Sequence, residues 1–184
     1  MVNNAGFSST TNAPDLRKMV FASLFAAMTA VGAYIKIPIP IGPVPLTLQV
    51  LFVLLAGIML KKKWGTISML VYVLLGIVGL PVFAGGASGL GVLFGPTGGY
   101  LIGFVAAAFV VGFLAERKQT SNPLLNAVFM TVGLGVIYLL GVAQLAIVAK
   151  LTIMQAIAAG MLPFLIGDFM KIIAGAYIAS KYEI

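Results

Sequence analysis

Most of the chain consists of apolar runs long enough to cross a lipid bilayer, and this feature restricts the folds that it can adopt. Of its 184 residues, 61% are hydrophobic and only 8% are charged, whereas about a quarter of the residues in a soluble domain carry a charge. A run of roughly 17–25 apolar residues is the unit of a membrane-spanning helix. The composition therefore predicts an integral membrane protein with one compact domain.

Six predicted helices account for these runs. They cover residues 18–34, 46–60, 64–80, 100–115, 124–140 and 156–179. The second is short at these limits, and the apolar stretch 141–155 either lengthens the fifth helix or forms a further lateral segment. We expect an all-α, polytopic membrane domain, a six-transmembrane-helix bundle, over residues 15–184. The polar residues 1–14 are predicted to form a flexible N-terminal tail.

The basic residues predict the orientation of this bundle. With the N terminus in the cytoplasm, Lys36 and Lys150 fall outside and Lys171 lies within a span. The other basic residues are then cytoplasmic: Arg17, Lys18, Lys61, Lys62, Lys63, Arg117, Lys118 and Lys181. Because cytoplasmic loops carry an excess of Lys and Arg, this bias predicts that both termini are cytoplasmic. Orientation in the membrane also explains the net charge of +7 better than nucleic-acid binding does.

Two charged side chains interrupt the last apolar run. Asp168 and Lys171 lie in residues 156–179, which contain no other charge. Side chains three residues apart share one face of a helix. Charged groups at membrane depth are costly, so they tend to face the bundle interior, pair with one another and serve a function. This face is therefore our candidate ligand site, and the structural alternative is an ion pair within the helix.

The connection after the first predicted helix is rich in proline. It contains Pro38, Pro40, Pro43 and Pro45 among apolar residues. Proline lacks an amide donor and restricts φ, so this stretch cannot form a regular helix. Non-helical backbone at membrane depth is tolerated only where protein or a water-filled cavity covers it. We interpret the stretch as a stiff lid over the outer face of the bundle, with a strained interfacial linker as the alternative.

A second connection, residues 79–99, is rich in glycine and interrupted by Pro81 and Pro96. Glycine permits unusual backbone angles and close approach of the backbone to a ligand. The composition therefore suggests backbone folded around something small. From Pro81 to Gly99 the connection contains no charged or amide side chain.

The residue types also exclude several classes of activity. The chain contains no cysteine and no histidine, which excludes disulfides, thiolate or imidazole metal sites, and Ser-His or Cys-His catalysis. Its acidic residues are Asp15, Glu116, Asp168 and Glu183, too scattered for a catalytic carboxylate pair or a metal cluster. We therefore expect no enzyme activity, no metal and no cofactor. The sequence also lacks a P-loop motif, so any ATP-driven movement of a substrate requires a partner.

Three segments of the chain resemble the BioY family, the biotin-binding S components of energy-coupling-factor (ECF) vitamin transporters. They are PVPLTLQVLFVLLAG at residues 43–57, GLPVFAGGASGLGVLFGPTGGYLIGF at residues 79–104, and GDFMK at residues 167–171. The resemblance implies a six-helix bundle in the cell membrane that captures biotin from outside. It also implies an ECF module as partner, made of a membrane-embedded T subunit and two ABC-type ATPases.

Small residues on the first predicted helix suggest where that partner docks. Ala22 and Ala26 match the Ala-x-x-x-Ala pattern through which this family contacts the T subunit, and Ala30 continues the spacing. Small residues every fourth position allow a partner helix to approach closely. The alternative is that the same alanines pack within the chain.

A biotin site needs an apolar slot and a few well-placed polar groups. By the resemblance, we expect Asp168 to accept from the ureido N–H groups, and Lys171 to neutralise Asp168 and donate to the ureido carbonyl or to the carboxylate. The weaker candidates are Thr47, Gln49, Gly85, Gly86 and Tyr100. Gln49 serves equally well as a helix cap or as a hydrogen-bonding group between helices. The partner of the biotin carboxylate stays open among Lys171, Lys36, backbone amides and solvent.

A solitary transporter, either a facilitator or one coupled to protons through Asp168, is the alternative function. Intramembrane carboxylates do serve as proton relays. However, a single acid paired with one lysine offers few groups for a proton relay, and no internal repeat typical of such transporters is visible in the sequence.

Overall fold

The computed structural model describes residues 13–37, 44–118 and 122–182. Residues 1–12 of the predicted tail lie outside this part of the chain, whereas Ala13 and Pro14 already belong to the first helix. Pro38, Pro40 and Pro43 of the predicted lid also lie outside it.

Helices make up most of the described chain. They are α1 (Ala13–Tyr34), α2 (Gln49–Ile77), α3 (Leu90–Leu93), α4 (Gly98–Arg117), α5 (Pro123–Val148), α6 (Ile153–Gly160) and α7 (Leu165–Lys181), with 3₁₀ turns at Ala84–Gly86 and Leu162–Phe164. Two short strands, β1 (Lys36–Ile37) and β2 (Leu46–Thr47), pair antiparallel, with Lys36 opposite Thr47. As predicted, the described ends of the proline-rich connection are not helical.

Helix α2 consists of two limbs that fold back on each other at Lys61. Lys61 has φ 63° and ψ −176°, a conformation that breaks a helix. The side chains of Gln49 and Tyr72 are hydrogen-bonded, although they would be about 35 Å apart in a straight helix. A Cβ atom on Gly65 would lie 2.8 Å from the carbonyl oxygen of Ala56, so the limbs approach closely. These limbs, residues 49–60 and 62–77, correspond to the second and third predicted helices.

The last predicted helix is interrupted. Residues 156–179 were expected to form one continuous helix, but α6 ends at Gly160 and α7 begins at Leu165. Between them Met161 leaves the helical region with φ −133°, and Pro163, in the 3₁₀ turn, lacks the amide hydrogen that a continuous helix requires. The break places Asp168 in the first turn of α7, where the helix dipole favours a negative charge.

The fifth predicted helix is longer than residues 124–140, since α5 extends to Val148.

Within the described ranges, four helical segments are long and apolar enough to cross a membrane: Asp15–Tyr34, Gly98–Arg117, Pro123–Val148 and Ile153–Lys181, the last of which includes α6, the interruption and α7. Each limb of α2 is shorter than the about 20 residues that a spanning helix usually needs.

The bundle presents apolar side chains outward and keeps its polar ones inside. On α7, Ile166 and Met170 are 79% and 67% exposed, whereas Asp168 and Lys171 on the opposite face are 2% and 8% exposed. This arrangement suits a hydrocarbon surrounding, in which exposed apolar groups carry no cost and charged groups turn to the bundle interior. The side chains of α1, α4 and α7 pack against α2, and α5 packs against α4 and α7.

Candidate functional site

A cavity of about 600 Å³ lies between β2, α4, α5, α7 and the glycine-rich connection. This volume is within the range of small-molecule binding sites. Its walls are mostly apolar or aromatic, with Phe83, Leu101, Phe104, Ile137 and Phe164 among the lining residues. Its polar side chains come from several elements: Lys36, Thr47, Gln49, Thr97, Tyr100, Tyr138, Asp168 and Lys171.

The predicted pair on the last helix lies in this cavity. Lys171 Nζ donates to Asp168 Oδ1 at 2.6 Å and to the carbonyl oxygen of Thr47 at 2.6 Å. Tyr138 Oη, from α5, donates to the other carboxylate oxygen, Asp168 Oδ2, at 2.6 Å. The carboxylate is thus held from two sides by groups on different elements. The geometry agrees with the prediction that both charges face the bundle interior.

These contacts explain how two charges remain buried in an apolar bundle. Removing a carboxylate and an ammonium group from water costs several kcal/mol for each ion, and the pair is tolerated only when further hydrogen bonds satisfy both groups. Tyr138 and the carbonyl group of Thr47 supply those bonds. A purely structural ion pair at this depth would need the same bonds, so the ligand role of the pair stays a prediction.

Thr47 and Gln49 belong to a second polar network in the same cavity. Thr47 Oγ1 donates to Gln49 Oε1 at 3.0 Å and accepts from the backbone amide of Gln49 at 3.3 Å. Gln49 Nε2 donates to Tyr72 Oη, which donates to the carbonyl oxygen of Val82 at 3.0 Å. Gln49 therefore joins the two limbs of α2, as the interpretation of a hydrogen-bonding group between helices predicts. It also lines the cavity, and its ligand role stays a prediction.

Tyr100 contributes a wall of the cavity rather than a free hydroxyl group. Its Oη donates to the carbonyl oxygen of Gly160 at 2.7 Å, which ties α4 to the end of α6. A Cβ atom on Gly160 would lie 2.3 Å from Tyr100 Oη, so a side chain at position 160 would collide with this hydroxyl group. The ring lines the cavity, but the hydroxyl group is already committed to the backbone.

Gly85 and Gly86 form part of the 3₁₀ turn beside the cavity and are not among its lining residues, whereas their neighbours Ala84 and Ala87 are. The amide of Gly86 donates to the carbonyl oxygen of Phe83 at 2.9 Å, so it is not free for a ligand.

Gln144, on α5, anchors the glycine-rich connection, because its Nε2 donates to the carbonyl oxygens of Leu93 and Gly95 at 2.8 Å each.

The predicted docking alanines face the interior of the chain. Ala22 and Ala26 are 4% and 3% exposed, and Ser68 Oγ of α2 donates to the carbonyl oxygen of Ala22 at 2.6 Å. Ala30 is partly buried against the core. Intramolecular packing thus occupies Ala22 and Ala26 in this structure, and their docking role stays a prediction.

Tyr138 is the site residue that sequence reasoning missed. It lies 30 positions before Asp168, in a mostly apolar α5 that carries no charged residue. A tyrosine buried in hydrocarbon needs a partner for its hydroxyl group. That rule could have marked Tyr138 as a candidate, although it could not have indicated the partner.

The cluster retains hydrogen-bonding capacity toward the cavity. A carboxylate offers about four lone-pair sites and an ammonium group three N–H donors. Asp168 accepts two hydrogen bonds and Lys171 donates two in this structure. The site can therefore still accept from N–H donors and donate to one acceptor of a small ligand.

Comparison with known proteins places this architecture in one family. The BioY family profile matches residues 4–183. The biotin transporter BioY of Thermotoga maritima is 48% identical over 168 residues, covering 91% of this chain and 96% of that protein. The biotin transporter BioY of Rhizobium etli is 38% identical over 172 residues, with coverage of 88% and 90%.

A solved structure gives the same result at the level of the fold. The S-component for biotin from an ECF-type ABC transporter superposes with a TM-score of 0.87 and 26% sequence identity, covering 94% of each chain. Sequence and fold agree over nearly the whole length, and the chain belongs to the BioY family.

Proposed function

We propose that this chain is a biotin-capturing S component that takes up biotin across the cell membrane as part of an ECF-type transporter. Its relatives are named biotin transporters, and the structure that it matches is an S-component for biotin. The observation that carries the proposal is the buried Asp168–Lys171–Tyr138 cluster at one side of a cavity whose walls are mostly apolar or aromatic.

The chemistry of biotin is complementary to this cavity. Its ureido ring has two N–H donors and a carbonyl acceptor, which match the spare acceptor sites of Asp168 and the third N–H of Lys171. The thioether ring and the valeryl chain would lie against apolar walls such as Phe83 and Phe104. Thr47 and Tyr100 would shape the slot, and Gln49 Nε2 has one further N–H to offer. Gly85 and Gly86 would act by shaping the turn.

We also propose that six helices cross the membrane, with both termini in the cytoplasm. The two limbs of α2 are the second and third spans, joined by the hairpin at Lys61. This hairpin carries Lys62 and Lys63, and Arg117 ends α4. Such basic ends favour the cytoplasmic side.

Because the sequence carries no P-loop, energy for uptake would come from a partner or an ion gradient, and the match to an S-component of an ECF-type ABC transporter favours a T subunit and two ABC ATPases. The face of α1 that is free to meet a T subunit contains Ser23 and Ala27, both exposed and spaced four residues apart. This face lies next to the buried Ala22 and Ala26.

Ala27→Trp should therefore block co-purification with the partner module and leave biotin binding intact. Ala26→Trp should instead lower the unfolding temperature; co-purification of the Ala27→Trp protein would contradict this docking face.

Calorimetry with the purified chain tests the ligand. We expect saturable binding of biotin and none of thiamine or riboflavin, whose heads do not match the donor and acceptor pattern of the cluster. Equal binding of the three vitamins, or no binding of biotin, would overturn the proposal.

Reconstitution in vesicles separates the two modes of transport. ATP-dependent biotin uptake that disappears when the partner ATPases are left out would support the ECF arrangement. Uptake by the chain alone, accompanied by alkalinisation of the outer solution, would favour a solitary proton-coupled transporter.

A further inference from the structure

Lys36 is a charged residue of the cavity that the cluster on α7 does not use. It begins β1 directly opposite Thr47 of β2 and lines the same cavity as Asp168. Unlike Asp168, its side chain is exposed. Within residues 13–37, 44–118 and 122–182, the ion pairs are Lys62–Glu116 and Lys171–Asp168. Lys36 therefore has no acidic partner in the described part of the chain.

The charges of the cavity do not cancel. Its charged lining residues are Lys36, Asp168 and Lys171. Asp168 and Lys171 neutralise each other at 2.6 Å, which leaves the single positive charge of Lys36. The connection at residues 81–99 supplies no charged or amide side chain. A ligand with one negative charge would balance the cavity.

The 3₁₀ turn at Ala84–Gly86 leaves room for the ammonium group of Lys36. A Cβ atom on Gly85 would lie 2.6 Å from Lys36 Nζ, so the ammonium group rests where a side chain at this position would be. Gly85 also has φ 72°, which glycine adopts at little cost. Gly85 thus has a structural role even though it does not line the cavity.

We propose that Lys36 binds the carboxylate of the ligand at the exposed part of the cavity, while Asp168 and Lys171 hold the ureido head in the buried part. The inference rests on the proposed function and deepens it. Lys36 would make the site selective for the carboxylate form of the vitamin over neutral derivatives. Lys171 is less suited to this role, because two of its N–H groups are already committed to Asp168 and Thr47.

Binding of biotin and of biotinamide, in which a neutral carboxamide replaces the carboxylate, tests the inference. The wild-type chain should prefer biotin by about tenfold, the size of a charge-assisted hydrogen bond that stays partly hydrated. Lys36→Gln should remove this preference by weakening biotin binding alone. Lys150→Gln is the matched control: it removes another exposed lysine that does not line the cavity, and it should change neither affinity.

A pair of glycine variants tests the position of the ammonium group. Gly85→Ala and Gly89→Ala both place alanine at a positive φ, 72° and 89°, but a Cβ atom on Gly89 would meet nothing within 4 Å. Gly85→Ala should weaken biotin binding in the wild-type background and have no further effect together with Lys36→Gln. Gly89→Ala should act equally in both backgrounds.

The outcomes separate the inference from the proposed function. If the wild-type chain binds neither ligand, the proposed function fails and the inference with it. If it binds biotin, and Lys36→Gln weakens both ligands equally or neither of them, only the inference is overturned. A biotin affinity that falls with added salt in the wild-type chain, and not in Lys36→Gln, would support an ionic contact.

Discussion

Two acid–lysine pairs in this chain have the same chemistry but different surroundings. Lys171 and Asp168 meet at 2.6 Å in the interior, with side chains 9% and 3% exposed. Lys62 and Glu116 meet at 3.3 Å at the hairpin of α2, with side chains 46% and 33% exposed. The comparison shows how burial changes the cost to stability of losing one partner of an ion pair.

The buried pair is held by the rest of the fold and has further hydrogen bonds from Tyr138 and to Thr47. The exposed pair joins α4 to the hairpin, where Glu116 also accepts from the backbone amide of Lys62 at 3.2 Å. Exposed pairs contribute about 0–1 kcal/mol to stability. Loss of one partner from a buried pair costs about 3–5 kcal/mol, because the other charge is left unpaired. Loss of one partner should therefore cost far more stability in the interior pair than in the exposed pair, and the interior pair is the one that we propose binds the ligand.

The largest effect is expected from Asp168→Asn. The variant keeps one carbonyl acceptor but removes the negative charge, replaces the second carboxylate oxygen with an NH2 donor, and leaves the charge of Lys171 unpaired. Biotin affinity should fall by at least about 100-fold, close to 3 kcal/mol, as measured by calorimetry. The protein should still elute as a folded species in detergent, with a lower unfolding temperature. Retention of wild-type affinity would refute the ligand role of Asp168.

Neutralising both members of the buried pair separates stability from binding. In the double variant Asp168→Asn with Lys171→Met, no unpaired charge remains, whereas Asp168→Asn alone leaves the ammonium group of Lys171 buried without its partner, which is the costly case. The unfolding temperature should recover relative to Asp168→Asn alone, while biotin binding stays lost. Recovery of binding would show that the pair only stabilises the fold.

A smaller loss is expected from Tyr138→Phe. The change deletes the hydrogen bond to Asp168 Oδ2 and keeps the ring. A hydrogen bond to a charged group contributes about 1.5–3 kcal/mol, so biotin affinity should fall about tenfold or more. Tyr177→Phe is the control, because Tyr177 lies on the exposed face of α7. An equal loss in both variants would contradict a specific role for Tyr138.

The smallest effect is expected from Glu116→Gln at the exposed pair. The unfolding free energy should change by no more than about 1 kcal/mol, and the difference should shrink at high salt because exposed charges are screened. Biotin affinity should stay within about twofold of the wild-type value, about 0.4 kcal/mol, because Glu116 does not line the cavity. A loss as large as that of Asp168→Asn would remove the distinction between the two pairs.

Several features of the fold were predictable because they depend on local patterns. Spacing alone placed Asp168 and Lys171 on one face, and proline content excluded a helix in the connection after α1. The interruption near Pro163 was missed although proline is a local signal, because the apolar run continues on both sides of it. The buried side of Ala22 and Ala26 is not a local feature, since it depends on α2 packing against α1.

The sequence by itself determined that this chain is an apolar helical protein with one acid and one base side by side in its last span. Only the tertiary structure decided what meets them: Tyr138 from 30 positions away and the carbonyl group of Thr47 from 124 positions away. Periodicity defines a face of a helix, whereas the neighbour of that face depends on how distant segments pack. The hydrogen bonds that make the buried charges tolerable come from those distant segments, so no local pattern could reveal them.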